Sequence, residues 1–335
     1  MARSANQSDV ARAAGVSIST VSRALSNSRG ISDELRVQIQ GLAKELGYTG
    51  RGVLTVETRL VRTYVTANLM TGGLVAFYST LVDGMKSAAA AAGLQLEIRL
   101  VQQSLDPQRI ARDADAVPTA ATLLVGVDIT PELVQYFGRD RPMVLVNTFD
   151  PQMRYDCVAP ANFYGAAEAT RQLLDAGHRH VMHLREQIRW TTLARQNGFL
   201  SAVANVPGAT AEVVDSPPDI DTVLHQQARL KASGKARWTG VYAVHDHAAI
   251  RFIHALEEVG LRVPRDVSVI GFDDLPAASM MTPRLTTMRV DTDAIGRQAI
   301  ALLLRRIAEP DACRLQIDCG VVPVAGETVA QISAN

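Results

Sequence analysis

The chain has 335 residues, 47% of them hydrophobic and 20% charged, and its 34 basic and 34 acidic residues cancel. That composition leaves room for more than one domain, and no apolar run approaches the length of a membrane span, so no transmembrane helix is expected. Three cysteines, Cys157, Cys313 and Cys319, are odd in number and lack close metal-ligand spacing, which argues against a disulfide framework. No apolar export segment precedes the first predicted helix, so a cytoplasmic location is expected.

The first predicted helix starts near Gln7. Asn6 is a suitable N-cap, and Asp9 can reach back to it while complementing the positive end of the helix dipole. Gly15 permits the left-handed conformation that ends this helix, and Ser17 caps a second one running to about Leu25. On the second helix Val21 and Leu25 point inward, leaving Ile18, Ser19, Ser22 and Arg23 as an outer face small enough to enter a major groove. A third helix follows the Ser32 cap, with Asp33 and Glu34 in its first turn and Leu35, Ile39, Leu42 and Leu46 along one stripe. Residues 1–52 carry seven basic and four acidic side chains, a net of +3 where contacts to phosphate would be needed.

From about Leu60 onward, short apolar runs alternate with helical patterns. Val61–Ala67, Leu94–Val101, Ala121–Val127, Met143–Thr148, His180–Leu184, Gly240–Val244 and Val267–Gly271 read as strands. Leu81–Ala92, Gln108–Ala116, Glu132–Phe137, Gly165–Ala176, Leu193–Ala204, Ala248–Val259 and Ala294–Ile307 read as helices. Alternating βαβ units imply parallel sheets with helices on both faces, and the remaining length suffices for two such subdomains with a ligand cleft at the strand ends. The expected fold class is therefore α plus α/β, a helix-turn-helix headpiece followed by two doubly wound parallel-sheet subdomains.

The motifs Asp9-Val-Ala, Ala14-Gly-Val-Ser17, Thr20-Val-Ser-Arg-Ala-Leu25, Ile31-Ser32 and Leu46-Gly-Tyr48 resemble the headpiece of the LacI/GalR (lactose-repressor) family. The resemblance continues through Phe77-Tyr-Ser-Thr-Leu-Val-Asp-Gly-Met-Lys86, Gly177-His-Arg-His-Val181, the segment from Gly260 to Asp274, and Leu285-Thr-Thr-Met-Arg-Val-Asp291. It implies a headpiece over 1–48, a linker over 49–60 and a periplasmic-binding-protein-like effector and dimerisation domain over 61–335. The crossovers of such proteins would place about 61–160 and 291–320 in one half, and 161–290 and 321–335 in the other. The implied function is sequence-specific transcription regulation, as a repressor, by a homodimer on a pseudo-palindromic double-stranded DNA operator. A small effector, a sugar or sugar derivative, would control it from between the lobes.

By the same resemblance Ile18, Ser19 and Arg23 face base edges, and Ser17, Thr20 and Ser22 position the helix on phosphates or pack against its neighbours. In the cleft Arg195 matches an arginine that reaches the ligand, and its fork of donors suits vicinal hydroxyls or an anion. Asp246 and Asp273 each follow an apolar strand and are expected to emerge into the cleft. Asn147 ends a strand in the same way, and Phe77, expected in the loop after the first strand, would form an apolar wall. His245 stands where the family usually has Asn, and an imidazole there could make ligand binding pH-sensitive.

Other departures weaken the expectation of a standard hexose. Ala161-Asn162 replaces a common Asp-Asn, and Asp215-Ser-Pro-Pro-Asp219 lacks the aromatic that frequently floors the pocket. After Tyr48 the text is Thr-Gly-Arg-Gly-Val-Leu-Thr-Val-Glu57, with Glu57 where the family places a leucine wedge and Leu54 able to replace it only in a shifted register. A flexible or divergent hinge and less operator bending are expected. His178, His180 and His183 do not share one strand face, so no metal site is expected. No cofactor is expected, and no nucleophile elbow or phosphate loop supports an enzyme. The small residues Ala88–Ala92 would allow close helix approach at a dimer contact. The competing reading is a solute-binding receptor whose headpiece no longer reads DNA.

Overall fold

The computed structural model describes residues 6–25, 31–46, 48, 59–70, 72–101, 107–115, 121–137, 141–186, 188–215, 220–233 and 238–332. Residues 49–58 of the expected linker, with Leu54 and Glu57, lie outside them, as do Ser216, Pro217, Pro218 and Asp219, and Leu60, expected to end the linker, is instead the first residue of a strand. The polypeptide begins with α1 (Gln7–Ala14), α2 (Ile18–Leu25) and α3 (Asp33–Glu45). Asn6 and Asp9 form a reciprocal capping box, each side chain accepting from the other's backbone N–H, and Gly15 ends α1 at φ 65°. The Ser17 hydroxyl accepts from the Thr20 amide at 3.1 Å, and Ser32 from the Leu35 amide at 3.3 Å. Val10, Ala11, Val21, Ala24, Leu25, Ile39 and Ala43 close a small core of their own. One expectation fails here: Leu46 is 41% exposed, because it lies just past the end of α3 and Ala43 takes the inner position instead.

The remainder begins with β1 (Leu60–Thr66), α4 (Val75–Ala91), β2 (Gln95–Val101), α5 (Pro107–Asp115), β3 (Ala121–Val125), α6 (Pro131–Phe137), β4 (Met143–Val146) and β5 (Asp156–Pro160). It continues with α7 (Asn162–Asp175), β6 (His180–Arg185), α8 (Trp190–Ala204), β7 (Thr210–Asp215), α9 (Ile220–Ala232), β8 (Gly240–Ala243) and α10 (Asp246–Glu258). The last elements are β9 (Ser268–Ile270), α11 (Pro276–Met280), β10 (Thr287–Val290), α12 (Thr292–Ala308), β11 (Gln316–Cys319) and β12 (Val321–Val324).

Two parallel sheets result. The first has the order β11-β5-β4-β3-β1-β2 and the second β7-β6-β8-β9, with β10 and β12 as a separate antiparallel pair. Strands β3, β4 and β8 are buried along their whole length, and their text is correspondingly apolar without alternation. Lobe one is the six-stranded sheet with α4, α5, α6 and α12. Lobe two is the four-stranded sheet with α7 to α11 and the β10/β12 pair. The chain passes between lobes after β5, after β10 and after β11.

Helices α4 and α12 cross at Gly84 and Gly296. A Cβ on Gly296 would lie 2.7 Å from the backbone of Gly84, so glycine is what permits this approach. Of the alanine run, Ala89 is buried in lobe one and Ala90, Ala91 and Ala92 remain exposed. The segment from Glu309 to Leu315, which leads into β11, is gathered by one buried side chain. Arg306 donates to the Asp156 carboxylate at 2.7 Å and to the carbonyls of Pro310, Ala312 and Cys313, while Asp156 accepts from the Leu315 amide.

Candidate functional site

The headpiece presents one polar face. Ile18 is 50% exposed, Ser17, Ser19, Ser22 and Arg23 are exposed, and Thr20 is half-buried. The Ser17 hydroxyl lies 2.8 Å from those of both Ser19 and Thr20, and the Arg23 Nε donates to the Ser19 carbonyl at 3.3 Å. Ser17 and Thr20 thus take part in the turn itself, while Ile18, Ser19, Ser22 and Arg23 stand on the outer side of α2.

A second candidate lies where the carboxyl ends of the two parallel sheets face each other. A cavity of about 70 Å³ is lined from lobe one by Leu69, Leu74, Phe77, Tyr78 and Asn147, and from lobe two by Glu186, Arg189, Thr191, Thr192, Arg195, Val244, His245 and Asp273. Asn147, Glu186, Val244 and Asp273 each follow a strand by one to three residues, which is why the topology brings them together.

Arg195, 6% exposed on α8, is the most fully engaged of these. It donates from Nε to Asn162 at 2.8 Å, from Nη1 to the Val244 carbonyl at 2.6 Å and from Nη2 to Asp273 at 3.2 Å. Its guanidinium carbon lies 3.8 Å from the centre of the Phe272 ring, a cation–π contact. Burial pushes the Asp273 carboxyl up from its ordinary value, against the opposing pull of Arg195 and His245.

Asp273 and Asn147 both have left-handed backbone, at φ 112° and 54°. Strained non-glycine residues of this kind cluster at ligand sites, each at a cost of about 1–3 kcal/mol. The Asn147 amide nitrogen donates to the Tyr78 hydroxyl at 2.8 Å, and its Oδ1 is buried without a hydrogen-bond partner. Asn147 is one of the polar residues that line the cavity, and no group among the described residues fills this acceptor.

His245 caps α10, its Nδ1 accepting from the Ala248 amide at 3.0 Å. The proton is thereby placed on Nε2, which lies 3.3 Å from a Glu186 carboxylate oxygen. Burial acts to raise the Glu186 pKa, but the hydrogen bond from His245 and the nearby charges outweigh it, and the carboxyl is held below its ordinary range.

Two expectations about the cleft need correction. Phe77 is the third residue of α4, not part of a loop, because the helix begins six residues before the predicted Leu81; its ring still lines the cavity and packs edge-on against Tyr78. Asp246 is fully buried in lobe two and does not line the cavity. Its carboxylate accepts from the Leu275 amide at 2.7 Å and from the Thr287 hydroxyl, so it braces the strand ends from behind. Burial and the charge of Asp273 hold its carboxyl well above the usual carboxylate range.

Glu186 and Arg189 were not anticipated, although the rule that singled out Asn147 and Asp273, a polar residue directly after an apolar strand, applies equally to Glu186. Arg189 has no such signal. It precedes α8 as its N-cap residue and reaches Tyr78, Asp128 and the Asn147 carbonyl across the cleft. The three histidines of the β6 segment are separated: His178 pairs with Thr239, His180 with Thr210, and His183 lies stacked on Tyr242 in the lobe-two core. Among the described residues no group of three acidic, histidine or cysteine side chains could hold a metal ion, and no helix is long and apolar enough to cross a membrane.

Comparison with known proteins bears on both candidates. Residues 8–50 match the family model of bacterial regulatory proteins of the lacI family, and residues 170–328 match that of periplasmic binding protein-like domains. The HTH-type transcriptional repressor PurR of Yersinia pestis bv. Antiqua is 30% identical over 311 residues, 89% of either chain. The ribose operon repressor of Escherichia coli K12 is 29% identical over 314 residues, 91% of this chain and 94% of that one. Among solved structures, the lac repressor dimer bound to operator and the anti-inducer ONPF superposes with a TM-score of 0.68 at 21% identity, covering 98% of this chain and 100% of that one. A complex of the transcriptional regulator CelR with cellobiose gives a TM-score of 0.68 at 23% identity, covering 97% of this chain and 99% of that one. At those identities the two structures establish the shared fold.

Proposed function

The chain belongs to the lacI family of bacterial regulatory proteins, and from that membership we propose how its two sites divide the work of a transcriptional regulator. It is a DNA-binding transcriptional regulator under small-molecule control that acts on operator DNA as a dimer. In our assignment residues 1–48 read the operator, 49–59 link, and 60–335 bind the effector and dimerise. Ile18, Ser19 and Arg23 contact base edges, with Ser17, Thr20 and Ser22 serving the turn and the phosphate backbone. The sense of regulation is repression, and the compartment is the cytoplasm.

The effector site is the cavity between the lobes, lined by Phe77, Asn147, Arg195, His245 and Asp273 together with Tyr78 and Glu186. Asp246 supports it from behind. The observation that carries this assignment is the cavity itself, which gathers polar side chains from both lobes, Asn147 and Tyr78 from lobe one and Glu186, Arg195, His245 and Asp273 from lobe two. A ligand that donates to Asn147 and also engages lobe two stabilises one lobe arrangement over another, which is the requirement for coupling to the headpieces.

The ligand class is a sugar or sugar derivative. The relative named as a ribose operon repressor and the CelR complex with cellobiose support a small polar ligand for this architecture. The reading is of a binder and not a catalyst. A thermal-shift screen of pentoses, hexoses and nucleosides, followed by calorimetry on the wild type and Asn147→Ala, tests it. A stabilising compound should bind the variant at least about tenfold more weakly, the cost of a lost buried hydrogen bond. Equal binding to the variant, or turnover of the bound compound, would overturn the assignment.

A further inference from the structure

Lobe two carries its own bridge to lobe one. Arg189 stands at the N-terminus of α8, its backbone fixed by a reciprocal pair of hydrogen bonds with the Thr192 hydroxyl. Its side chain is 14% exposed and crosses the cleft to three acceptors of lobe one. Nη1 donates to the Tyr78 hydroxyl at 3.1 Å, and Nη2 donates to Asp128 at 3.3 Å and to the Asn147 carbonyl at 3.4 Å. Asp128 is held for this contact, its Oδ1 also accepting from the Thr148 hydroxyl at 2.8 Å. The next residue repeats the crossing in apolar form, with the Trp190 ring 5.3 Å from that of Phe149.

We propose that Arg189 is a positioning residue that straps the lobes together through the protein's own contacts and so sets the resting lobe equilibrium on which the effector acts. A ligand can shift such an equilibrium only by its differential affinity for the two arrangements. The strap supplies part of that bias before any ligand does. The consequence for DNA rests on the ligand-controlled reading above, but the strap itself is testable without DNA or effector.

Trp190 is the natural reporter, since the chain has two tryptophans and the other, Trp238, lies in the lobe-two core. In a full-length Trp238→Phe background, acrylamide quenching of Trp190 measures how well the cleft edge is covered. Asp128→Asn and Tyr78→Phe, both changes in lobe one, and Arg189→Ala should each raise the quenching, and Arg189→Ala should lower the ratio of strapped to open lobes by about tenfold or more. Asp128→Asn is nearly isosteric and distant in sequence from the reporter, so it separates lobe opening from a local change beside Trp190. Circular-dichroism melts establish that each variant is folded. Raised quenching in Asp128→Asn and Tyr78→Phe supports the strap. Unchanged quenching in folded Asp128→Asn and Tyr78→Phe overturns it, whatever Arg189→Ala shows. The same titrations leave operator binding untouched as a criterion, so a failed strap and a failed regulator reading are distinguishable.

Discussion

Arg195 and Asp273 form an ion pair at 3.2 Å that is almost wholly withdrawn from solvent, and the same guanidinium fixes Asn162 and the Val244 carbonyl. The pair therefore joins α8 to two strand ends of lobe two. Arg195→Ala leaves Asp273 buried without its partner and should cost about 3–5 kcal/mol of stability. Arg195→Lys keeps the charge but not the fork of donors, and should fall between the variant and the wild type. Urea unfolding checks both. A loss below about 1 kcal/mol in Arg195→Ala would show that the pair does not organise the site.

The headpiece carries a separable prediction. Arg23→Ala should abolish discrimination between a selected operator and random duplex while weak, salt-steep binding persists, because phosphate contacts do not depend on it. Fluorescence anisotropy at matched salt measures both quantities. Retained discrimination would move base reading away from Arg23.

His183 predicts an acid limb of stability. Its ring stacks on Tyr242 at 4.9 Å, its Nδ1 donates to the Tyr242 carbonyl at 3.1 Å, and burial pushes its pKa down to about 4. The folded protein thus disfavours the imidazolium, and as pH falls below about 6.5 the unfolded chain takes up the proton first. Stability contributed by the neutral ring is complete above that pH and is lost as pH falls toward about 4, a total of about 3 kcal/mol. His183→Phe preserves the stacking and should flatten this limb in urea melts across pH 4–7. A limb of unchanged depth would assign the acid sensitivity to other groups.

Gly73 offers a second probe of lobe contact, on lobe one. A Cβ built there would lie 2.0 Å from the His247 ring of lobe two. Gly73→Ala should therefore push the lobes apart and raise acrylamide quenching of Trp190 in the Trp238→Phe background, although residue 73 is not part of the strap. Quenching equal to that of the parent would mean that His247 turns aside without lobe movement.

Much of this was legible because it follows from local rules. The capping box at Asn6 and Asp9, the left-handed Gly15 and the inward Val21 and Leu25 depend on spacing within two or three turns, and the headpiece shows each of them. Buried parallel strands announce themselves as apolar runs, which is why β3, β4 and β8 were readable. The missed strands lack that signal: β7, β11 and β12 are largely exposed, β10 is a short segment recruited by pairing with β12, and β5, though buried, has only Cys157, Val158 and Ala159 between Asp156 and Pro160. The cleft was read by placing polar residues after apolar strands. That rule cannot show which way a carboxylate turns, so it grouped Asp246 with Asp273. One faces the cavity, and the other spends both oxygens on Leu275 and Thr287. Nor can it find Arg189, whose partners lie in α4 and after β3 and β4 and become neighbours only when the lobes meet.

The central claim is that a ligand in the interlobe cleft controls operator binding by the headpieces. The most direct measurement is an anisotropy titration of the full-length protein on an operator selected from random duplexes, at fixed salt, with and without a compound that stabilises the wild type but not Asn147→Ala. The account predicts that the compound changes operator affinity by about 5-fold to 150-fold, leaves random-duplex binding nearly unchanged, and has no effect on Asn147→Ala. Operator affinity that is the same with the cleft filled or empty would contradict it.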